Sequence, residues 1–251
     1  MQLLTRIYVL WISLLLMTIT SNAQANANAN ANAQAQANAQ AGRAESAANR
    51  VLAALEHDAK ALNLQIGAPV FIRIFKQGAV LELWLKGAQR YQLFRSYPIC
   101  AFSGALGPKT MEGDGQAPEG IYQIKRAQMN PASRFHLSFN LGYPNAYDQA
   151  HGYTGSALMV HGNCVSIGCY AMTDAKIEEI YTLMARAFAA GQLSIPVHAF
   201  PFRLTTDALA ANKSQPYLNF WQELAPIYQA FEDHALPPKV LVVAGRYRVA
   251  K

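Results

Sequence analysis

The chain has 251 residues, of which 52% are hydrophobic and 14% charged, and its 21 Lys and Arg against 15 Asp and Glu give a formal charge of +6. The basic residues are scattered rather than clustered, which suits a general attraction to anionic polymers and argues against a nucleic-acid-binding footprint. Three cysteines without a second close-spaced pair do not make a structural zinc pattern.

Taken in chain order, Arg6 supplies a positive start, Ile7 to Met17 an apolar core and Ser21-Asn22-Ala23 a small-residue cleavage site, so residues 1–23 read as an export signal. The apolar run is shorter than the ~20 residues of a membrane span, and a retained anchor is the competing reading. With cleavage after Ala23, no membrane span remains and the mature protein is expected in the periplasm of a Gram-negative-type envelope. Residues 24–43 follow as a low-complexity linker in which Ala alternates with Asn or Gln up to position 41. Such side chains cannot build a core. Over 44–66, Val51, Leu52, Leu55, Ala59 and Leu62 recur at helical spacing with charges between them and predict an amphipathic helix.

From residue 67 the pattern becomes that of strands. Pro69 to Phe75 is apolar except for Arg73, Lys76 to Ala79 forms a turn, Val80 to Lys86 alternates, and Arg90 to Ile99 continues after Gly87. Strands joined by short turns argue for an antiparallel or mixed β architecture. Loops at 103–109 and 113–118 come next. A second helix is predicted with Thr173 or Asp174 as its cap, Ile177, Ile180, Tyr181, Met184 and Phe188 as its buried face, and Gly191 as its stop. Ser194 to Phe200 reads as the strand that closes a catalytic domain spanning 67–200. In the C-terminal appendage, 201–251, Leu218 to Glu232 looks helical with a break or kink at Pro226, and Lys239 to Val249 forms a hairpin around Ala244-Gly245. The aromatic residues Tyr217, Phe220, Trp221 and Tyr228 are read as packing rather than as a glycan groove.

The chemistry concentrates in His161-Gly162-Asn163-Cys164-Val165-Ser166-Ile167-Gly168-Cys169-Tyr170. Ala157 to Val160 reads as a short buried strand that presents His161 at its end. A cysteine is a strong nucleophile as its thiolate, so Cys169 needs a base or cation beside it. His161 serves if the chain folds back, and Gly162 and Gly168 give the loop freedom to do so. Backbone N–H groups at Gly168 and Cys169 are the expected oxyanion donors, and Ser166 a supporting hydrogen bond. An odd cysteine count in an exported chain leaves one thiol unpaired. Pairing Cys100 with Cys164 leaves Cys169 free, while a buried, unpaired Cys100 fits the sequence equally.

These residues resemble the YkuD-type L,D-transpeptidase family, which pairs His-Gly with a downstream Ser-x-Gly-Cys, here His161-Gly162 and Ser166-Ile167-Gly168-Cys169. The short spacing, the continuation Gly168 to Thr173 and the upstream Tyr143-Pro144-Asn145-Ala146-Tyr147-Asp148 are similar to its YafK-type branch. The resemblance covers roughly residues 68 to 251. It implies a mainly β, α+β, sandwich-like domain with a helix after the nucleophile, and a Cys169 nucleophile with His161 as general base and acid. It also implies a stem-peptide substrate at diaminopimelate and, for this branch, lipoprotein-linked muropeptides. No metal or organic cofactor is required. Pro118 and Gly120 resemble the family's Pro-x-Gly-x-aromatic element. Together with Gly162, Tyr143, Tyr147, His151 and Tyr170 they are the expected substrate-side residues. One position departs: most of the family has Arg two residues after the nucleophile, and this chain has Ala171. A catalytically idle peptidoglycan-binding module is the alternative reading.

Overall fold

The structure, a computed structural model, describes residues 2–250, with backbone alone for 2–23, 37, 40 and 41. The export-signal reading of residues 1–23 therefore lies outside the described side chains. Two compact units are present, residues 1–43 and 44–251. In the first, the backbone is helical as part of α1 (Gln2–Ala61). Where the sequence suggested only a spacer, the Ala/Asn/Gln stretch is helical and exposes its side chains from Gln24 to Gln36. The reason is local. Every second residue is Ala, the strongest helix former, and Gln34 Nε2 donates to Asn38 Oδ1 one turn on at 3.2 Å.

In the second unit, the C-terminal part of α1 buries Ala47, Leu55 and Ala59 along one stripe, the four-residue spacing expected of an amphipathic helix. The helix stops at Ala61, so Leu62 lies beyond it and is exposed. The chain then runs through β1 (Val70–Phe75), β2 (Val80–Lys86), β3 (Tyr91–Pro98) and β4 (Ala101–Phe102). After a long loop come β5 (Gly120–Ile124), β6 (Met129–Asn130), β7 (Ser138–Asn140), α2 (Ala146–Ala150), β8 (Met159–His161) and β9 (Tyr170–Ala171). The remaining elements are α3 (Asp174–Ala189), β10 (Ile195–Phe200), α4 (Thr206–Ala211), α5 (Leu218–His234), β11 (Val240–Val243) and β12 (Arg246–Val249).

Two mixed sheets result, ordered β3-β2-β1-β10-β5 and β4-β9-β8-β7-β6, with β11-β12 as a separate hairpin. This α+β arrangement is the fold class expected. One core lies among the two sheets, α1 and α3, and takes Val70, Ile72 and Ile74 from β1, Val160 from β8 and Ile177, Ile180, Tyr181, Met184 and Phe188 from α3. The predicted face of α3 is thus the buried one. A second core covers the opposite face of the first sheet with α5 and the hairpin, joining Phe75 and Phe200 to Trp221, Ile227, Tyr228 and Tyr247.

Three features depend on partners distant in sequence. First, β10, the strand expected over Ser194 to Phe200, takes an interior place in the first sheet. It runs parallel to β1 in the register Ile72↔Val197 and antiparallel to β5, and its near-continuous burial suits an interior strand. Second, α5 continues through Pro226 to His234. Burial of Phe220, Trp221, Leu224, Ile227, Tyr228 and Phe231 along its face holds the helix against a proline cost of ~3 kcal/mol. Third, Arg73, the exception in the apolar run of β1, is itself buried. Its guanidinium is buried, bonds Glu82 at 2.9 Å and Glu232 at 2.5 Å, and lies 4.8 Å from the Phe231 ring centre. A buried charge persists only when paired in this way.

Candidate active site

Strand register brings the two candidate catalytic residues together. β8 and β9 run parallel, pairing Val160 with Tyr170 and His161 with Ala171. Extended by one residue, that register sets Cys169 beside Met159. Side chains two apart on a strand share a face, so Cys169 and His161 project to the same side on neighbouring strands. Such diagonal neighbours have Cα atoms ~7–8 Å apart, within reach of an imidazole. Parallel strands usually need a crossover of about a dozen residues. Loop 162–169 is shorter and turns sharply, with Asn163 at φ 60° and Gly168 at φ 121°. Gly162 is required for a different reason, since a Cβ there would stand 2.5 Å from Asp174 Oδ1 and 2.7 Å from the Phe135 carbonyl.

Backbone ties hold this loop. Gly162 N–H donates to Phe135 O at 3.0 Å and Leu137 O at 3.1 Å, and Asn163 N–H donates to Asp174 Oδ1 at 2.7 Å. Asp174 is the first residue of α3, so its carboxylate fastens the loop. Thr173, at φ 77°, makes no side-chain cap bond, contrary to the capping role expected for one of the two. A disulfide joins Cys164 to Cys100 across a separation of 64 residues, leaving Cys169 as the free cysteine. That decides between the two alternatives open in the sequence.

His161 is 2% exposed and its Nδ1 lies 2.5 Å from the Gly162 carbonyl oxygen. Donation from Nδ1–H to that oxygen leaves Nε2 as the basic nitrogen. Burial lowers the imidazole's pKa below its usual value, with the Gly162 bond opposing in part. Cys169 is half-buried. Its Sγ accepts from Met159 N–H at 3.5 Å and lies 3.9 Å from the Ala157 carbonyl. Burial pushes its thiol above the usual range, and the Met159 N–H offsets only part of this. Both shifts favour the uncharged forms, a protonated thiol at Cys169 and a neutral imidazole at His161, over the preformed thiolate that the motif alone suggests.

Ser166 Oγ donates to the Cys169 carbonyl at 2.7 Å and accepts from Gly168 N–H at 3.2 Å. It clamps the loop around Cys169 and makes no bond to His161. Gly168 N–H is engaged by this clamp, whereas no such bond is made by Cys169 N–H among the described contacts. Tyr170 is fully buried and donates its hydroxyl to Pro118 O at 2.7 Å, which brings the Pro118 loop against the nucleophile's strand. Tyr143 is buried and donates to Lys109 O at 3.1 Å.

Other expected substrate-side residues lie with the C-terminal hairpin. Tyr147 stacks on Tyr247 at 4.5 Å and on His151 at 4.1 Å. Gly120 opens β5 at a point where a Cβ would meet Tyr247 Oη at 2.9 Å. The Tyr143 to Asp148 motif also has a structural use, since Asn145 and Asp148 form a capping box on α2. Asp148 is buried, and desolvation raises its carboxyl to about 7. Ala171, the site of the family's Arg, is fully buried opposite His161 and offers no charge. Met159 N–H, Ala157 O and Phe135 at the site carry no motif signal in the sequence. Among the described residues, no three His, Cys, Asp or Glu side chains converge as a metal site.

A raised thiol pKa has a measurable consequence. Unreduced protein, denatured and treated with a thiol reagent, is expected to show one reactive cysteine, and reduced protein three. In the folded enzyme, alkylation of Cys169 should climb steadily as the pH approaches and passes the ordinary thiol value of 9.0, because the neutral thiol must first ionise. A rate already at plateau below pH 7 would mean a resting thiolate.

Residues 70–197 match the family model of the L,D-transpeptidase catalytic domain, YkuD. Over 186 residues the chain is 48% identical to the candidate L,D-transpeptidase YafK of Escherichia coli (strain K12), covering 74% of this chain and 76% of that protein. The Escherichia coli O157:H7 counterpart matches at the same 48%. Among solved structures, the helical cell shape determining protein Pgp2 from Campylobacter jejuni aligns with a TM-score of 0.44 at 17% identity, over 70% of this chain and 73% of that one. Among the described residues no helix is long and apolar enough to cross a membrane.

Proposed function

Because the chain belongs to the YkuD family of L,D-transpeptidase catalytic domains, we propose that it is a cysteine acyltransferase of the peptidoglycan stem peptide that works through a Cys169 thioester. The observation that supports this reading is the β8–β9 register, in which a buried His161 ends β8 and pairs with Ala171 while the free Cys169 immediately precedes β9. Cys169 Sγ attacks the carbonyl carbon of an amide at a meso-diaminopimelate centre while His161 Nε2 takes the thiol proton. Cys169 N–H receives the developing oxyanion. His161 returns the proton to the departing amine nitrogen, and the C–N bond breaks to leave the thioester. An incoming amine or water then gives its proton to His161 and attacks the thioester, and the thiol re-forms. With water as acceptor and a lipoprotein lysine as leaving group, the same steps make an amidase that releases peptidoglycan-linked lipoprotein. Residues 1–23, read as an export signal, support a periplasmic site of action.

Mass spectrometry of purified sacculi incubated with the enzyme, with and without lipoprotein-linked muropeptides, tests this directly. New crosslinks at diaminopimelate, or released muropeptide amines, are expected with the parent enzyme and absent with Cys169→Ala. Binding to sacculi with no covalent change in any muropeptide would support the idle binding module instead.

A further inference from the structure

We infer that Phe135 and His136 are positioning residues for His161, and that they tie it to Arg50 on α1. Phe135 lies on the loop before β7, where its ring stacks on the His161 imidazole with centroids 4.6 Å apart and planes 27° from parallel. Its carbonyl accepts the Gly162 N–H at 3.0 Å, so one residue touches His161 through its ring and its backbone neighbour through a hydrogen bond. Phe135 is only half-buried and is not a member of either core, which separates it from ordinary packing residues. Aromatic pairs in this arrangement fix ring orientation.

The next residue anchors the loop. His136 adopts φ 68°, a left-handed conformation uncommon for a residue with a Cβ, and strained backbone of this kind persists when surrounding contacts hold it. Here the contact is Glu178 on α3, whose Oε1 lies 2.7 Å from His136 Nε2. Glu178 in turn accepts from Arg50 Nε at 3.0 Å and from Arg50 Nη2 at 2.5 Å. Burial pushes the Glu178 carboxyl up, but the Arg50 and His136 bonds outweigh it, so the group stays ionised and both links hold at neutral pH. Asp174 completes the surroundings by fastening Asn163. The path therefore runs from Arg50 to Glu178, His136, Phe135 and His161. Docking of α1 contributes to the catalytic geometry and not only to stability.

The effect on catalysis rests on the acyl-transfer reading, whereas the effect on the imidazole does not. Histidine-ring NMR titration of the full-length protein measures the second without substrate. In Phe135→Ala, one face of His161 opens to water, so its titration should move up toward the ordinary histidine value, and Phe135→Tyr should restore the parent behaviour. In turnover, Phe135→Ala should lower kcat ~10- to 100-fold with little change in KM, as expected when a reacting group is misplaced by about an ångström. The acid limb of the rate profile should move up with the ring titration. Arg50→Gln, at a side chain 53% exposed and away from either core, should lower kcat in the same direction by a few-fold. An unchanged His161 titration in Phe135→Ala overturns the inference, whatever happens to kcat, because the ring would then be touching substrate or merely filling space. An Arg50→Gln enzyme with parental kcat overturns the link to α1.

Discussion

Cys169→Ala and Cys169→Ser are expected to lose turnover of crosslinked or lipoprotein-linked peptidoglycan by at least ~10³-fold while keeping the fold. The sulfur makes only two weak contacts, Met159 N–H at 3.5 Å and the Ala157 carbonyl at 3.9 Å, so its removal should cost ~1 kcal/mol or less. Serine keeps a nucleophilic atom but its hydroxyl is a far weaker acid than a thiol. His161 orients itself on a backbone carbonyl and has no carboxylate partner to drive that proton transfer. The loop is held by Ser166, Asp174 and the Cys100–Cys164 disulfide, none of which depends on the Cys169 side chain. Muropeptide release, compared at matched melting temperature, is the measurement. The contrasting pair is Cys100→Ser with Cys164→Ser. Opening a bridge across 64 residues should cost ~2–4 kcal/mol of stability, so that variant should fail in urea before it fails in chemistry. A Cys169→Ser enzyme with parental turnover would remove the covalent step from the mechanism.

What could be read in advance was what short-range pattern encodes. An apolar run marked β1, alternation marked β2 and β3, the 3.6-residue recurrence of Ile177, Ile180, Tyr181, Met184 and Phe188 marked α3, and the glycines around His161 and Cys169 marked a loop that folds back. What could not be read depends on partners distant in sequence. Nothing near Arg73 announces Glu232, 159 residues away, the partner that lets an arginine sit inside an apolar strand. Cys100 and Cys164 could be proposed as a pair only by elimination. Asp174 looked like a helix cap until the loop it fastens was in place. Tyr147 and His151 were expected on the substrate side from their motif, and the stack they form with Tyr247, about a hundred residues on, could not be read from it. The direction of the Cys169 and His161 shifts belongs to the same class, since desolvation is set by how much of the whole fold closes over a side chain.

His161→Gln is expected to lower turnover ~10³-fold while slowing iodoacetamide alkylation of Cys169 much less. The two effects diverge because of the resting charge state. In a thiolate–imidazolium pair, removing the imidazole raises the thiol pKa and both reactions collapse together. Here burial holds the imidazole neutral and the thiol protonated, so His161 contributes little to the resting thiol and acts chiefly when the proton must move during attack and leaving-group departure. The pH dependence follows with a definite sign. A histidine whose pKa lies below the ordinary 6.5 remains unprotonated, and therefore competent as a base, throughout neutrality. Its loss appears only on acidification, so kcat/KM for the parent enzyme should be flat near pH 7 and fall on an acid limb lying below pH 6.5. In His161→Gln that limb should vanish along with most of the activity. Initial rates on a soluble lipoprotein-linked muropeptide across the pH range, paired with alkylation rates at the same pH values, give both readings from one preparation. Equal loss in both assays would return the site to a preformed ion pair and overturn the neutral resting state derived from burial.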